Sequence, residues 1–219
     1  MILMSKKKNV EKKGPKQVVT VYSPEYFGYK EIGTTLVNEP GEAVGRTLWA
    51  SLYNLTGDFA KQYLLIRFKI VRVKEDMIAE TIFYGHEYGR EFLRSLVRRG
   101  TTRIEGTFNL TTKDGFKLRA QAIAFTVRRL TPHCLKVRMI RKIMQKILEE
   151  ASRNLTHDQL AQEMVLGKTA SDIFQEAKKI TLLRHVGIVK SKVLKIPEWV
   201  YEGKRVEEAV SSVSGSSDV

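Results

Sequence analysis

TRIEGTFNLTTKDGFKLRAQAIAFTVRR, residues 102–129, contains two alternating segments on either side of a turn signal. Ile104, Phe108 and Leu110 fall on one side of the first segment, which is the period-two pattern of a half-buried strand. The Lys-Asp-Gly sequence that follows ends with Gly115, which tolerates the positive φ of a tight turn. The segment after Gly115 is therefore predicted to return as the antiparallel partner strand.

The same alternation occurs elsewhere and predicts the fold class. Apolar residues at 64, 66, 68 and 70 are separated by Arg67 and Lys69, which predicts one buried and one charged face. Strands are predicted over 18–22, 46–55, 64–70, 77–84, 102–112 and 116–129. Strands joined by short turns favour a closed or nearly closed sheet, because closure removes exposed edges. The predicted class is α+β: an antiparallel β-barrel with flanking α-helices.

Helical spacing is found in two regions. Residues 87–99 are predicted to form a helix that Gly100 ends. Residues 135–180 form a longer helical part, in which Ile140, Met144 and Leu148 recur at helical spacing. Thr156 to Gln159 has the capping-box pattern that begins another helix.

One globular domain is predicted over 18–195, with two flexible tails. Its parts are a β-barrel core over 18–130, the helical part over 135–180 and a final strand over 186–194. The arm 1–17 holds six lysines and one acid, and we expect it to be disordered and basic. The tail 196–219 ends in a serine-rich stretch and is also predicted to be disordered.

The composition restricts the classes of protein that fit. Among 219 residues, 38 Lys and Arg oppose 24 Asp and Glu, so the formal net charge is +14. A hydrophobic content of 42% supports a core and excludes a wholly disordered chain, while Cys134 alone excludes a disulfide scaffold. No apolar run reaches bilayer length, so we expect an intracellular, soluble protein without a membrane partner. The excess charge indicates a polyanionic partner.

The strongest candidate site is a stripe of arginines. Arg90, Arg94 and Arg98 lie four residues apart on the predicted helix, and Arg99 and Arg103 extend the stripe past its end. Like charges at this spacing destabilise a helix, and no acid separates residues 94 and 103. We interpret the stripe as a contact for RNA phosphates; a solvated polar face is the alternative.

Two further acid-free blocks, 128–146 and 178–195, and the N-terminal arm supply the other predicted RNA-binding cations. They are Arg128, Arg129, Arg138, Arg141, Lys142, Lys190, Lys192, Lys6, Lys7 and Lys8. Arginine suits this work because its planar fork can bind a phosphate bidentately.

Catalytic patterns are weak, so we predict no enzyme, no metal and no cofactor. The four histidines are not at metal-ligand spacing, and the Gly167-Lys168-Thr169 sequence lacks the earlier glycine of a phosphate-binding loop. An acidic group at 75, 76 and 80 fits a solvated turn better than a nuclease site. The aromatic residues at 22, 26, 27 and 29 could stack on unpaired bases or pack under the sheet.

Several segments resemble a known family. They are 22–33 (YSPEYFGYKEIG), 45–47 (GRT), 55–59 (LTGDF), 85–87 (GHE), 92–104 (FLRSLVRRGTTRI), 111–115 (TTKDG), 140–144 (IRKIM) and 190–194 (KSKVL). Together they resemble the archaeal and eukaryotic small-subunit ribosomal protein family S-one-e, formerly S-three-a-e, over about 18–195. The chain departs from the family at Thr181-Leu182, where an aromatic residue and a proline are expected.

The resemblance implies a non-catalytic β-barrel protein on the platform of the small subunit. It also implies contact with ribosomal RNA near its 3′ end and the messenger exit, and neighbouring ribosomal proteins. We therefore predict a structural constituent of the cytoplasmic small ribosomal subunit, with messenger RNA and the initiation machinery as further candidate partners. The alternative is a free RNA-binding regulatory factor of translation.

Overall fold

The computed structural model describes residues 16–131 and 134–202, and this part of the chain forms one mixed α+β structure. Its strands are β1 (Gln17–Tyr22), β2 (Glu31–Val37), β3 (Thr47–Ser51), β4 (Leu64–Val73), β5 (Ile78–Tyr88), β6 (Arg103–Thr111), β7 (Lys117–Thr126) and β8 (Leu183–Lys195). Its helices are α1 (Leu52–Thr56), α2 (Arg90–Leu96), α3 (Leu135–Asn154), α4 (His157–Leu166), α5 (Lys168–Lys178) and α6 (Trp199–Glu202).

Strand β5 is the branch point of the eight-stranded sheet. One edge of β5 pairs with β4, which in turn pairs with β3. The other edge pairs first with β1, in parallel, and then with β8. From there the order continues through β7 to β6, while β2 lies outside β1.

The predicted barrel is wrong, because the sheet is open. Among the described residues, β2, β3 and β6 each pair with a single neighbour and no pairing joins them. A helix covers the β6 edge: α3 packs on β6, and the Arg141 Nε donates to the Glu105 carbonyl at 3.0 Å. Covering an edge strand with a helix protects it from unwanted strand pairing.

The main core lies between one face of the sheet, here called the inner face, and helices α3, α4 and α5. Helix α3 buries Val137, Ile140, Met144 and Leu148, as its periodicity predicts. The capping box at Thr156 begins α4, where the Thr156 hydroxyl accepts from the Gln159 amide. Within the described ranges, no helix has the length and apolar content needed to cross a bilayer.

The opposite face of the sheet, called the outer face, carries polar and charged side chains. In the β6–β7 hairpin, Ile104 and Leu118 point into the core, whereas Arg103 and Arg119 are exposed. The predicted turn is confirmed, with Gly115 at φ +83°. Helix α2 covers one end of the outer face, where Phe92 packs edge-on against His185 of β8.

The strand predicted over 46–55 is too long. Pairing with β4 ends at Ser51, whose hydroxyl accepts from the Tyr53 amide and caps α1. Leu52 continues the alternation of Leu48 and Ala50 on which the predicted strand rested, but Leu52 and Leu55 enter the core from the helix. Strand β2 was not predicted.

The body extends beyond the predicted boundary at 195. Ile196, Trp199 and Val200 pack against the main core, and α6 ends at Glu202. Gln17, assigned by prediction to the arm, begins β1. The predictions for residues 1–15, including Lys6, Lys7 and Lys8, and for 203–219 lie outside the described residues.

Candidate nucleic-acid interface

The predicted arginine helix is shorter than expected, and this divides the stripe. Strand β5 continues through Glu87 and Tyr88, because both residues pair with β4. Helix α2 then runs only from Arg90 to Leu96, and Val97 is extended with φ −79° and ψ 122°. Arg90 and Arg94 share an exposed helical face. Arg98 lies beyond the helix, so the predicted single stripe is wrong.

Arg98 instead belongs to a surface built from two connections of the sheet. The α2–β6 connection carries Arg98 and Arg99, and Arg103 begins β6. The β7–α3 connection carries Arg128 and Arg129. We call these five side chains the arginine surface.

Two threonines hold these connections together. The Thr102 hydroxyl accepts from the Leu130 amide at 2.8 Å, and the Thr126 hydroxyl accepts from the Thr102 amide at 2.9 Å. The Thr126 hydroxyl also donates to the Arg128 carbonyl at 2.6 Å. Arginines about 25–30 positions apart in sequence therefore share one end of the sheet.

The arginine surface is exposed and poor in acid. All five side chains are exposed. Among the described residues, only Arg103 has an acidic partner here, at 2.6 Å from the Glu105 carboxylate. Because both members of that pair are about half exposed, with side chains 49% and 47% accessible, it contributes little to stability.

Arg184, which was not a predicted site residue, holds the end of α2 just before the connection that carries Arg98 and Arg99. Its guanidinium donates to the Leu96 carbonyl at the end of α2 and lies 5.8 Å from the Phe125 ring. Side chains of this kind satisfy carbonyls at helix ends. No sequence pattern indicates this role, because the contact joins residues far apart in the chain.

A second group of cations lies on α3. Arg138, Arg141 and Lys142 are exposed in its first half, and its first turn contains no acid. Arg141 is partly engaged by the Glu105 carbonyl of β6. The acids of α3, Glu149 and Glu150, lie in the second half.

Lys190 and Lys192 lie elsewhere, on the outer face where β5 meets β8. Only three residue pairs join these strands: Gly85 with Lys192, His86 with Ser191 and Glu87 with Lys190. We call these six residues the junction. Lys190 forms an ion pair with Glu87 at 3.0 Å, and Lys192 is exposed. Along the strands the junction is roughly 20 Å from the arginine surface.

The junction is held by buried side chains. The Ser191 hydroxyl lies 2.7 Å from His86 Nδ1, and His86 Nε2 lies 2.9 Å from the Ile188 carbonyl. Nε2 therefore donates to the carbonyl, and Nδ1 accepts from the hydroxyl. Burial lowers the pKa of His86 to about 4, so the ring is neutral at pH 7.

Gly85 lets the two strands approach. A Cβ at this position would lie 2.2 Å from the Ser191 carbonyl oxygen, and φ is +155°. Only glycine fits such a close backbone contact. The Gly-His-Glu sequence thus has a structural explanation.

The structure adds cations to the outer face that were not predicted site residues. Arg67 and Lys69 of β4 and Lys117 and Arg119 of β7 point to the same side as Lys192. The alternation of β4 had already indicated its charged face. That β4 lies close to β8 depends on the pairing of both strands with β5, which no local sequence pattern indicates.

For Tyr26, Phe27 and the acidic group the structure favours the packing and solvated-turn interpretations, whereas Tyr29 is exposed and stacks on Tyr22. Tyr26 is half-buried, with its hydroxyl accepting from the Phe83 amide at 3.1 Å, and Phe27 packs on Phe68. Glu80 forms an ion pair with Lys74 at 2.6 Å, as in a solvated turn. In the described part of the chain, no group of His, Cys, Asp and Glu could hold a metal ion.

Exposed, acid-poor cation groups on a mixed α+β fold are typical of proteins that bind nucleic acid. Comparison with known proteins makes the class specific: residues 4–197 match the model of the Ribosomal S3Ae family. Proteins named small ribosomal subunit protein eS1 from Saccharolobus islandicus and Saccharolobus solfataricus are each 39% identical over 199 residues. These alignments cover 91% of this chain and 92% of the relatives. The chain belongs to the Ribosomal S3Ae family.

Proposed function

We propose that this protein, a structural constituent of the cytoplasmic small ribosomal subunit and not an enzyme, binds the RNA of that subunit. The arginine surface is the main contact, and Arg90, Arg94 and the α3 cations Arg138, Arg141 and Lys142 extend it. Lys190 and Lys192 add a separate contact on the outer face. Neighbouring small-subunit proteins complete its surroundings.

The observation that carries this proposal is the pair of threonine contacts beneath the arginine surface. Thr102 and Thr126 fix the backbone from which Arg98, Arg103 and Arg128 project. Four of the five arginines have no acidic partner within the described ranges. Several unpaired guanidinium groups on a fixed backbone repel one another, and phosphate oxygens remove that repulsion.

The beginning of α3 supports the same conclusion. The partial positive charge at a helix N-terminus favours nearby anions and disfavours cations. Arg138 lies close to this end, and the first turn contains no acid. A bound phosphate would supply the missing negative charge.

The finer position is proposed from the family resemblance. We propose that the protein lies on the platform near the 3′ end of the ribosomal RNA and the messenger exit. Contacts with messenger RNA and the initiation machinery are proposed on the same basis.

The test is incorporation into small subunits. Arg98→Glu combined with Arg128→Glu reverses two charges on the arginine surface without removing buried groups. We expect this variant to leave the small-subunit fractions at moderate salt, because it replaces attraction to phosphate by repulsion. Sedimentation followed by quantification of the protein measures the effect.

Lys30→Glu combined with Arg72→Glu is the matched control, since both residues are exposed and lie outside the proposed interface. It changes the net charge by the same amount. Equal incorporation of the two variants would remove the arginine surface from the interface. A wild-type protein that remained in the light fractions would instead favour a free regulatory factor.

A further inference from the structure

The outer face contains an aromatic groove beside the junction. Trp49, Arg67, Tyr84, Gly85, Lys190 and Lys192 are among its lining residues, and its volume is ≈ 200 Å³. Trp49 is 50% exposed, although it is one of the largest apolar side chains in the protein. A half-exposed indole on the face of a sheet offers a surface on which another planar group can stack.

Arg67 lies between the two aromatic rings of this groove. Its guanidinium carbon is 5.5 Å from the Trp49 ring centroid and 5.2 Å from that of Tyr84. One guanidinium nitrogen also donates to the Thr47 hydroxyl at 2.9 Å. These contacts fix the cation and both rings before any ligand binds.

The arrangement does more than hold the edge strand β3. Five paired residues already join β3 to β4. Holding a strand does not require that half of the indole remain open to solvent. The exposed part of Trp49 therefore needs a further explanation.

The charges around the groove identify the occupant. Lys192 lines the groove, and the Lys69 ammonium lies 5.8 Å from the Tyr84 ring centroid. Arg119 is paired with Lys192 on the neighbouring strand, where its Nε donates to Asn109 Oδ1. Glu87, the acidic lining residue, is already paired with Lys190. A protein partner of mixed charge would not match this excess of cations. An aromatic base attached to a phosphate backbone matches both the rings and the cations.

We propose that this groove binds an unpaired RNA nucleotide, with its base stacked on Trp49 and its phosphates held by Lys192 and Arg119. The proposal rests on the proposed function and names the RNA class at a second site, since folded RNA at the arginine surface is recognised through its backbone. Stacking requires no base-specific hydrogen bonds, so the site accepts every base.

Tryptophan fluorescence of the full chain tests this directly. The protein has two tryptophans, and Trp199 lies half-buried against Phe116. In a Trp199→Phe background, all tryptophan fluorescence comes from Trp49, and a base stacked on this ring quenches that fluorescence. The probe is a single-stranded RNA of about ten nucleotides without self-complementarity. A duplex of the same length is compared, because its bases are already stacked on one another.

We expect quenching by the single strand and much less by the duplex. With a dye-labelled single strand, Trp49→Ala should weaken binding by roughly 5-fold to 150-fold. Trp49→Phe should restore most of the affinity because it keeps an aromatic ring. Phe59→Ala is the matched control, since Phe59 is 72% exposed and does not line the groove.

Lys192→Glu provides a second variant that leaves the rings intact. It should weaken single-strand binding and reduce its salt dependence. The Arg98→Glu, Arg128→Glu variant should keep the Trp49 quenching while losing subunit incorporation. This separates failure of the groove from failure of the arginine surface.

Three results would overturn the groove proposal. One is equal quenching by duplex and single strand, and another is unchanged single-strand affinity of Trp49→Ala. The third is a Trp49→Ala subunit that keeps all its RNA contacts but loses a neighbouring protein, which would assign the groove to that protein.

Discussion

The arginine surface and the junction lie on the same sheet but are stabilised in opposite ways. The arginine surface rests on threonine–backbone hydrogen bonds, and its charges point into solvent. The junction depends on a buried histidine, a buried serine and a glycine with no room for a side chain. Substitutions of the buried junction residues Gly85, His86 and Ser191 should therefore act on folding, whereas those on the arginine surface should act on RNA binding.

The largest expected effect tests the junction. Gly85→Ala places a Cβ 2.2 Å from the Ser191 carbonyl oxygen at a φ that favours glycine. The overlap and the backbone strain together should lower the free energy of unfolding by about 4 kcal/mol. Urea denaturation measures this. Gly41→Ala is the control, because nothing lies within 4 Å of its added Cβ; equal losses for the two variants would contradict the close approach.

The next effect is a dependence of stability on pH. The pKa of His86 is about 4 in the folded protein and about 6.5 in the unfolded chain, so the unfolded chain takes up a proton first. The stabilisation is complete above pH 6.5 and is lost as the pH falls towards 4. It amounts to about 3 kcal/mol.

Comparison with His86→Gln isolates this effect from that of the carboxylates. The wild type should lose more stability between pH 7 and 4.5 than the variant does. An NMR titration of the wild-type ring provides a second measurement that does not depend on the variant folding. Protonation of the His86 ring near pH 6.5 would contradict the proposed effect, because it would mean that burial does not exclude water from this ring.

Thr102→Val tests whether the arginine surface needs its fixed backbone. The change leaves every charge in place but removes the hydroxyl that bonds the Leu130 amide. We expect a loss of about 2 kcal/mol in stability and a weaker affinity for ribosomal RNA. Thr107→Val, on the exposed side of β6, is the control. If Thr102→Val left the RNA affinity unchanged, the hydrogen bond that fixes the β7–α3 connection would not contribute to RNA binding.

The smallest effect concerns the one ion pair of the arginine surface within the described residues. Glu105→Gln frees Arg103 from its partner at 2.6 Å and should tighten RNA binding by roughly 2-fold to 4-fold. Glu31→Gln removes an equal charge from an exposed position on β2 and controls for general repulsion. Filter binding at fixed salt compares them, and equal gains would show that Arg103 is not involved.

Local patterns predicted the elements that depend on near neighbours in sequence. The alternation in β4, the turn at Gly115 and the capping box at Thr156 each depend on residues a few positions apart. The open sheet could not be predicted in this way, because it follows from the pairing of β5 with β1 and β8. The end of α2 was misplaced for a similar reason, since Arg184 satisfies a carbonyl there from far along the chain.

The same distinction applies to the candidate site. Exposure of every described candidate cation agrees with its charge and position in the sequence. The spatial grouping of these cations could be predicted only in part from the sequence, because Thr102 and Thr126 join connections that are distant in sequence. The Trp49 groove was missed because its two rings come from strands separated by β4.

The hairpin of β1 and β2 is attached more loosely than any of these sites. Two parallel residue pairs join it to β5, and a small apolar cluster around Val19, Val21 and Ile70 lies beneath it. Units with so few attachments open at lower free energy than the main core. We therefore expect this hairpin to open before the helices and the remaining strands unfold, which amide hydrogen exchange would measure.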